Sequence, residues 1–304
     1  MSEAQEMLEA TGQPAAIGTS PTVSEYMNNY WKRVKAGDLG PLPIILGLIV
    51  IAIIFQLLNQ NYLTPRNFVN LIVQMAGITT IAIGVVYVLL LGEIDLSIGY
   101  VSAVAAVFLA MRLRPPSEWT WWMALIAALA FAALIGMVQG FIITKFSLPS
   151  FVVTLAGFLV WNGVVLILIG NGGTVIIQDP VIIGIANYFL SPMAGWLVVG
   201  LAVLLFAVTR LLGWRSRRAR GVSSTPLALV ILQVVVTALI AIGVVYVCNQ
   251  DRGVPFVGIL VIALLVAFTF LAERTRFGRY IYAIGGNEEA ARLSGVPVRL
   301  SLIH

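Results

Sequence analysis

The chain has 304 residues, of which 60% are hydrophobic and 10% charged, with a net charge of +5 and a mean hydropathy of +0.99. Soluble domains carry about 25% charged residues, so this composition excludes an ordinary soluble globule and points to a chain that crosses a membrane repeatedly. One cysteine, Cys248, and one histidine, His304, exclude a disulfide framework, a zinc cluster and a Ser-His-Asp triad made by this chain alone.

Residues 1–40 are polar and rich in Gly, Pro, Ser and Thr, and no apolar core precedes the first span, unlike a secretory signal. They read as a mostly disordered cytosolic tail, with Tyr30, Trp31, Lys32, Arg33 and Lys35 at the membrane surface. Residues 41–304 read as one transmembrane domain. Its apolar runs predict spans over 42–58, 68–91, 97–111, 119–143, 149–170, 194–213, 226–248 and 254–272. Runs this long and continuous suit helices crossing a bilayer core of about 30 Å rather than barrel strands. The expected fold is therefore an all-α polytopic bundle. The third run is short and small-sided (Gly99, Ser102, Ala103, Ala106), which places it inside the bundle, tilted or broken. The fourth carries Ala124, Ala128, Ala132, Gly136 and Gly140 at four-residue spacing, a ridge for close helix packing.

The basic residues set an orientation. With the N-terminus inside, Lys32, Arg33, Lys35, Lys145, the run Arg215–Arg220, Arg274, Arg276 and Arg279 all fall in the cytosol, as the positive-inside rule requires. Arg66, Arg112, Arg114 and Arg252 fall outside. The net charge is thus a topology signal, and no nucleic-acid partner is inferred from it.

Three polar strings interrupt the spans. Gly92-Glu93-Ile94-Asp95-Leu96-Ser97-Ile98-Gly99 is either a discontinuous element lining a cavity or a tight cytoplasmic turn in which Asp95 caps the third helix. The loop from Asn171 to about 193 is long and moderately apolar. It is a docking surface for an external protein, a re-entrant gate or a simple cover. Gln74, Gln139, Asn162 and Gln233 lie within spans, where they line a hydrated path or bond between helices. Candidate pathway or gate residues are accordingly Glu93, Asp95, Ser97, Asn162 and Asn171.

The last string is Asn287-Glu288-Glu289-Ala290-Ala291-Arg292-Leu293-Ser294-Gly295. Asn287 is an N-cap, Glu288 and Glu289 suit a helix N-terminus, Glu288 and Arg292 stand four apart, and Gly295 suits a left-handed terminator. The spacing predicts a short helix capped at both ends. So short a helix does not persist in isolation, and it is read either as docking in a groove on another protein or as loop structure.

Glu289-Ala290-Ala291, three residues, then Gly295 resembles the EAA-xxx-G coupling motif of ABC-importer permeases. The extended string from Ala283 to Gly295 is similar to the ribose/xylose-type sugar permeases. Gly92–Gly99 resembles that family's GGIDLSVG string with Glu93 in place of a glycine, and Leu148–Gly157 resembles its LPSFIVTLG segment. The additional apolar material between about 194 and 248 resembles the longer xylose-type branch. Where relatives often carry an arginine before a glycine, this chain has Trp161-Asn162-Gly163.

The resemblance implies a permease of the ribose/vitamin B12-importer type in a bacterial inner membrane. It implies a pathway for a neutral monosaccharide, xylose or a related pentose or hexose, shared with a second permease chain. A separate cytosolic ATPase would bind ATP and grip the helix Asn287–Gly295, and an extracytoplasmic binding protein would deliver sugar. The chain itself would be neither an enzyme nor a cofactor binder. No GxxxxGK[ST] string is present to hydrolyse a nucleotide. The resemblance further implies that spans follow the coupling loop, so that a chain ending at His304 is expected to be a piece of a longer permease. The alternative is an ion-coupled secondary transporter, for which intramembrane ionisable residues and paired broken helices would be expected.

Overall fold

A computed structural model describes residues 23–37, 39–220 and 225–303. The expectation for residues 1–22 lies outside these. Among the described residues the chain is helical, with one isolated bridge between Phe189 and Pro255 and no sheet. The helices are α1 (Val23–Lys35), α2 (Leu42–Leu58), α3 (Pro65–Leu90), α4 (Ile98–Arg112), α5 (Trp121–Phe146), α6 (Ser150–Ile169), α7 (Pro180–Asn187), α8 (Pro192–Ala219), α9 (Leu227–Asn249), α10 (Phe256–Arg274), α11 (Arg276–Gly286), α12 (Glu288–Leu293) and α13 (Val298–Ile303).

Six of these, α3, α5, α6, α8, α9 and α10, are long and apolar enough to cross a membrane. The apolar helices α2 and α4 are shorter, 17 and 15 residues, or about 25 and 22 Å at 1.5 Å per residue. The chain is a multi-pass membrane protein. Large apolar side chains stay exposed along seven of these eight helices, as they do where the solvent is hydrocarbon, whereas α4 exposes none.

Val23–Lys35, within the expected N-terminal tail, is helical and ends on Lys32, Arg33 and Lys35, where cations complement the helix dipole.

The chain divides into two compact units. One takes in α1, α2, the first turn of α3 and Leu190–Val254; its main contact is the pairing of α8 with α9. The other takes in Asn70–Phe189 and Pro255–His304.

In this second unit α4 packs against both α5 and α6. Val104 of α4, Ile135 of α5 and Val165 of α6 form one buried cluster. A second joins Leu109, Ala124 and Ala128, with Ile182 of α7 laid over it. The loop after α6 thus contains a short helix, N-capped by the Asp179 carboxylate with Pro180 in its first turn, and that helix covers the core.

The small-residue ridge of α5 is used in two places. Ala124 and Ala128 meet α4, while at Gly140 a side chain would press on the backbone of Leu302 and Ile303 in α13. Ser147, in left-handed conformation at φ 53°, ends α5, and Leu148-Pro149 lead directly into α6. This tight corner sets Gln139 and Gly140 of α5 beside Ser150 and Thr154 of α6.

Candidate functional site

The turn Gly92–Ser97 is built on that corner. Its amide at Ile94 donates to Ser150 Oγ at 3.2 Å, and Thr154 Oγ1, which donates to the Ser150 carbonyl at 2.9 Å, lies 3.2 Å from the Ile94 carbonyl. Asp95 Oδ1 accepts from the amide of Ser97 at 2.8 Å and from its hydroxyl at 2.7 Å. Ser97 is fully buried, and its Oγ lies 3.0 Å from the side-chain amide of Gln139.

One hydroxyl proton serves one acceptor. Turning the Gln139 amide nitrogen toward Ser97 lets Gln139 donate to Ser97 and Ser97 donate to Asp95, and sets the amide oxygen at the buried position without a donor. It also gives a partner to the Gln139 nitrogen, which otherwise has none.

The sequence expectation for Asp95 needs correcting here. The carboxylate binds the amide of Ser97, which precedes α4, and caps no amide of the helix's first turn. It closes an Asx-type turn instead.

A cavity of about 470 Å³ opens beside this turn. Glu93, Asp95, Gln139, Ser150 and Thr154 supply its polar edge, and Tyr87 stands among its mostly apolar walls. Of the five candidate pathway residues, Glu93 and Asp95 line it and Ser97 lies behind Asp95. Asn162 sits two turns further along α6 from Thr154, about 12 Å away, and does not line the cavity. Asn171 lies in the 3-10 turn after α6, at the end opposite Ser150. These two belong to no common constellation with Glu93 and Asp95.

The short helix α12 forms as its residues dictate. Asn287 Oδ1 accepts from the amide of Ala290 at 2.9 Å. At the other end Gly295, at φ +82°, donates to the Arg292 carbonyl, and Val296 donates to Ala291, each at 3.0 Å. This is a Schellman motif, which requires the left-handed residue that glycine supplies.

Arg292 pairs with Glu289 through hydrogen bonds of 2.7 and 2.8 Å, not with Glu288 as the four-residue spacing suggested. A helical side chain leans toward the N-terminus, which brings neighbours three and four residues earlier within reach, and here the three-residue neighbour takes the bond. Those bonds, and the carboxylate's charge, hold the Arg292 guanidinium above its ordinary range.

Only one side of α12 is buried. Ala291 packs with Ile284, Val298, Leu91 and Val296 of the same chain. Asn287, Glu288, Glu289, Ala290, Arg292 and Gly295 are exposed, and Leu293 is 80% exposed. The helix is stabilised by its own chain, and its outer face is apolar at one point and charged around it.

The α12 face and the polar turn are mechanically adjacent. Leu91, which touches the Ala291 cluster, is followed at once by Gly92 and Glu93. Ser150, Thr154 and Gly285 escaped the sequence reading as site residues, and Gln139 was read only as one of four polar residues lining a path or bonding between helices, since their positions depend on which helices meet. Among the described residues no group of three or more His, Cys, Asp or Glu assembles as a metal site.

Residues 67–302 match the family described as branched-chain amino acid transport system / permease component. The chain belongs to this permease family. It is 33% identical over 272 residues to the xylose transport system permease protein XylH of Haemophilus influenzae, covering 88% of this chain and 71% of the relative. XylH of Escherichia coli K12 is 35% identical over 269 residues, covering 87% and 67%. The ribose import permease protein RbsC of the same strain is 29% identical over 259 residues, covering 84% and 60%. No solved structure matches significantly.

Proposed function

We propose that this permease is the transmembrane subunit of an ATP-binding-cassette importer for a neutral monosaccharide, xylose or a related pentose or hexose. The observation that carries the reading is α12, a helix capped at both ends, fixed to its own chain through Ala291 and presenting Leu293 outward among Glu288, Glu289 and Arg292. An exposed apolar residue on a rigid, charged helix suits docking into a groove of a partner protein. In this reading the partner is the cytosolic ATPase, which binds and hydrolyses ATP. The xylose and ribose permeases among its relatives support the sugar and, within it, a pentose. A binding protein outside the membrane and a second permease chain complete the assembly.

The N-terminus lies in the cytosol in this reading. Lys145 at the end of α5, Arg274 at the end of α10, and Arg276 and Arg279 of α11 then share one side with α12. The path ends at the cavity beside Glu93 and Asp95, with Ser97 and Gln139 holding the turn. Movement of α12 reaches that turn through Leu91.

The test uses the permease reconstituted with its ATPase and binding protein. Leu293→Asp is expected to abolish ATPase association while membrane insertion continues, because that side chain supports nothing in this chain. Free xylose is expected to compete with the transported sugar. Ion-driven uptake without the ATPase, or competition by amino acids and not by free sugars, overturns the reading.

A further inference from the structure

We infer that the arginine-rich end of α8 is a binding site for anionic phospholipid headgroups of the cytoplasmic leaflet. The inference rests on the orientation given above. α8 has 28 residues, about 42 Å of helix against a hydrocarbon core of about 30 Å. Its first twenty residues, 192–211, hold a single charge, Arg210. The last two turns therefore stand in the headgroup layer, and Arg215, Arg217 and Arg218 lie there with Arg220 just beyond, all exposed.

No acidic residue occurs between Asp179 and Asp251. Among the described residues none of these arginines has a carboxylate partner, and no carboxylate of this chain supplies their counter-charge.

The geometry is more specific than a loose basic run. Arg210, Trp214 and Arg218 follow at four-residue spacing and so share one face. The Trp214 indole is half-buried and donates to the Thr225 carbonyl at 3.1 Å, which fixes the ring. The Arg218 guanidinium lies over that ring at 5.3 Å, and Arg210 lies over Phe206 at 5.3 Å. A guanidinium held over a ring by cation–π attraction still carries several N–H donors, and its planar fork matches two oxygens of a phosphodiester. Tryptophan at this depth is itself an interfacial anchor. The phosphates held at that depth in high and constant density are those of lipids.

The experiment purifies the permease complex from bacterial membranes and quantifies co-purified phosphatidylglycerol and cardiolipin by native mass spectrometry. Each guanidinium near an anionic surface is worth a factor of roughly five. The joint variant Arg215→Gln, Arg217→Gln, Arg218→Gln and Arg220→Gln is therefore expected to retain at least tenfold less anionic lipid. Orientation is checked in parallel by labelling a cysteine at Ser216. Should the glutamine set reverse the topology, the corresponding Arg→Lys set is read instead. It keeps the charge and loses the fork, and at least a threefold loss is expected.

Unchanged lipid retention at native topology overturns the inference. So does displacement of the lipid by millimolar inorganic phosphate, which assigns the site to soluble anions. A loss of ATPase association with lipid retention unaltered also overturns it and gives the surface to that protein. Labelling from outside of the Ser216→Cys protein with its arginines intact removes the orientation itself, a separate failure from loss of lipid specificity.

Discussion

Gly285 of α11 lies against the main-chain carbonyl of Leu90 at the end of α3, so closely that a methyl group at Gly285 would run into that oxygen. Through this contact the segment carrying α12 abuts the residues that enter the Gly92–Ser97 turn. A backbone contact transmits displacement with little loss, since no side chain can change rotamer between the two elements.

The neighbouring glycine provides a matched control. Alanine in place of a helical glycine normally stabilises by up to ~1 kcal/mol. Gly286→Ala meets nothing within 4 Å and is expected to be neutral or slightly stabilising. Gly285→Ala forces α11 from α3 at a cost of about 1–3 kcal/mol. In the assembled transporter it is expected to lower sugar-stimulated ATP hydrolysis severalfold while basal hydrolysis persists. Equal behaviour of the two variants would remove the contact from the coupling route.

Gly295 tests the cap of α12. Alanine at φ +82° costs about 1–2 kcal/mol, and proline, fixed near −65°, cannot adopt the conformation at all. Insertion into the membrane is expected to be intact in both. ATPase stimulation by sugar is expected to fall modestly in Gly295→Ala and to vanish in Gly295→Pro. Full stimulation in the proline variant would show that the terminator has no part in docking.

The Gln139–Ser97–Asp95 chain makes a prediction about stability. Ser97→Ala leaves the buried Gln139 amide without a partner, at a cost of about 1–3 kcal/mol, whereas replacing both partners by apolar groups can be nearly neutral. Thermal unfolding in detergent should therefore find Ser97→Ala less stable than the double variant Ser97→Ala, Gln139→Leu. Simple additivity of the two single changes would mean that the hydrogen bond carries no coupling energy.

Orientation is checked by thiol labelling in intact cells. Cysteines placed at Arg217 and Arg279 are expected to resist a membrane-impermeant reagent, and one at Thr174 is expected to react. The natural Cys248 is fully buried and contributes no background. Reaction of all three from outside would contradict the proposed topology.

Much of this molecule was legible in its sequence because the deciding forces are local. Continuous apolar runs specify membrane helices, since each span must satisfy its own backbone in lipid. The eight expected spans recur as helices displaced by a few residues at their ends. Asn287 and Gly295 announced α12 for the same reason, because caps act within four residues of themselves. The small residues of α5 announced a packing ridge, though not that Gly140 would receive α13.

Other features required the assembled chain. Glu288 and Glu289 are both within helical reach of Arg292, and in the folded helix the guanidinium bonds Glu289. Asp95 had the right type for a helix cap, yet the turn's own geometry gave its carboxylate to Ser97. Gln139 read as one of several polar residues inside spans until the corner between α5 and α6 set it beside Ser97. Gly285 read only as one member of the Ala283–Gly295 string, and its close approach was not legible, for it meets a carbonyl 195 positions earlier in the chain. Sequence by itself determined where helices begin and end, because hydrogen-bond satisfaction and burial act along the chain. Only the tertiary structure decided which small residues permit close approach and which polar groups meet, because those depend on helices distant in sequence.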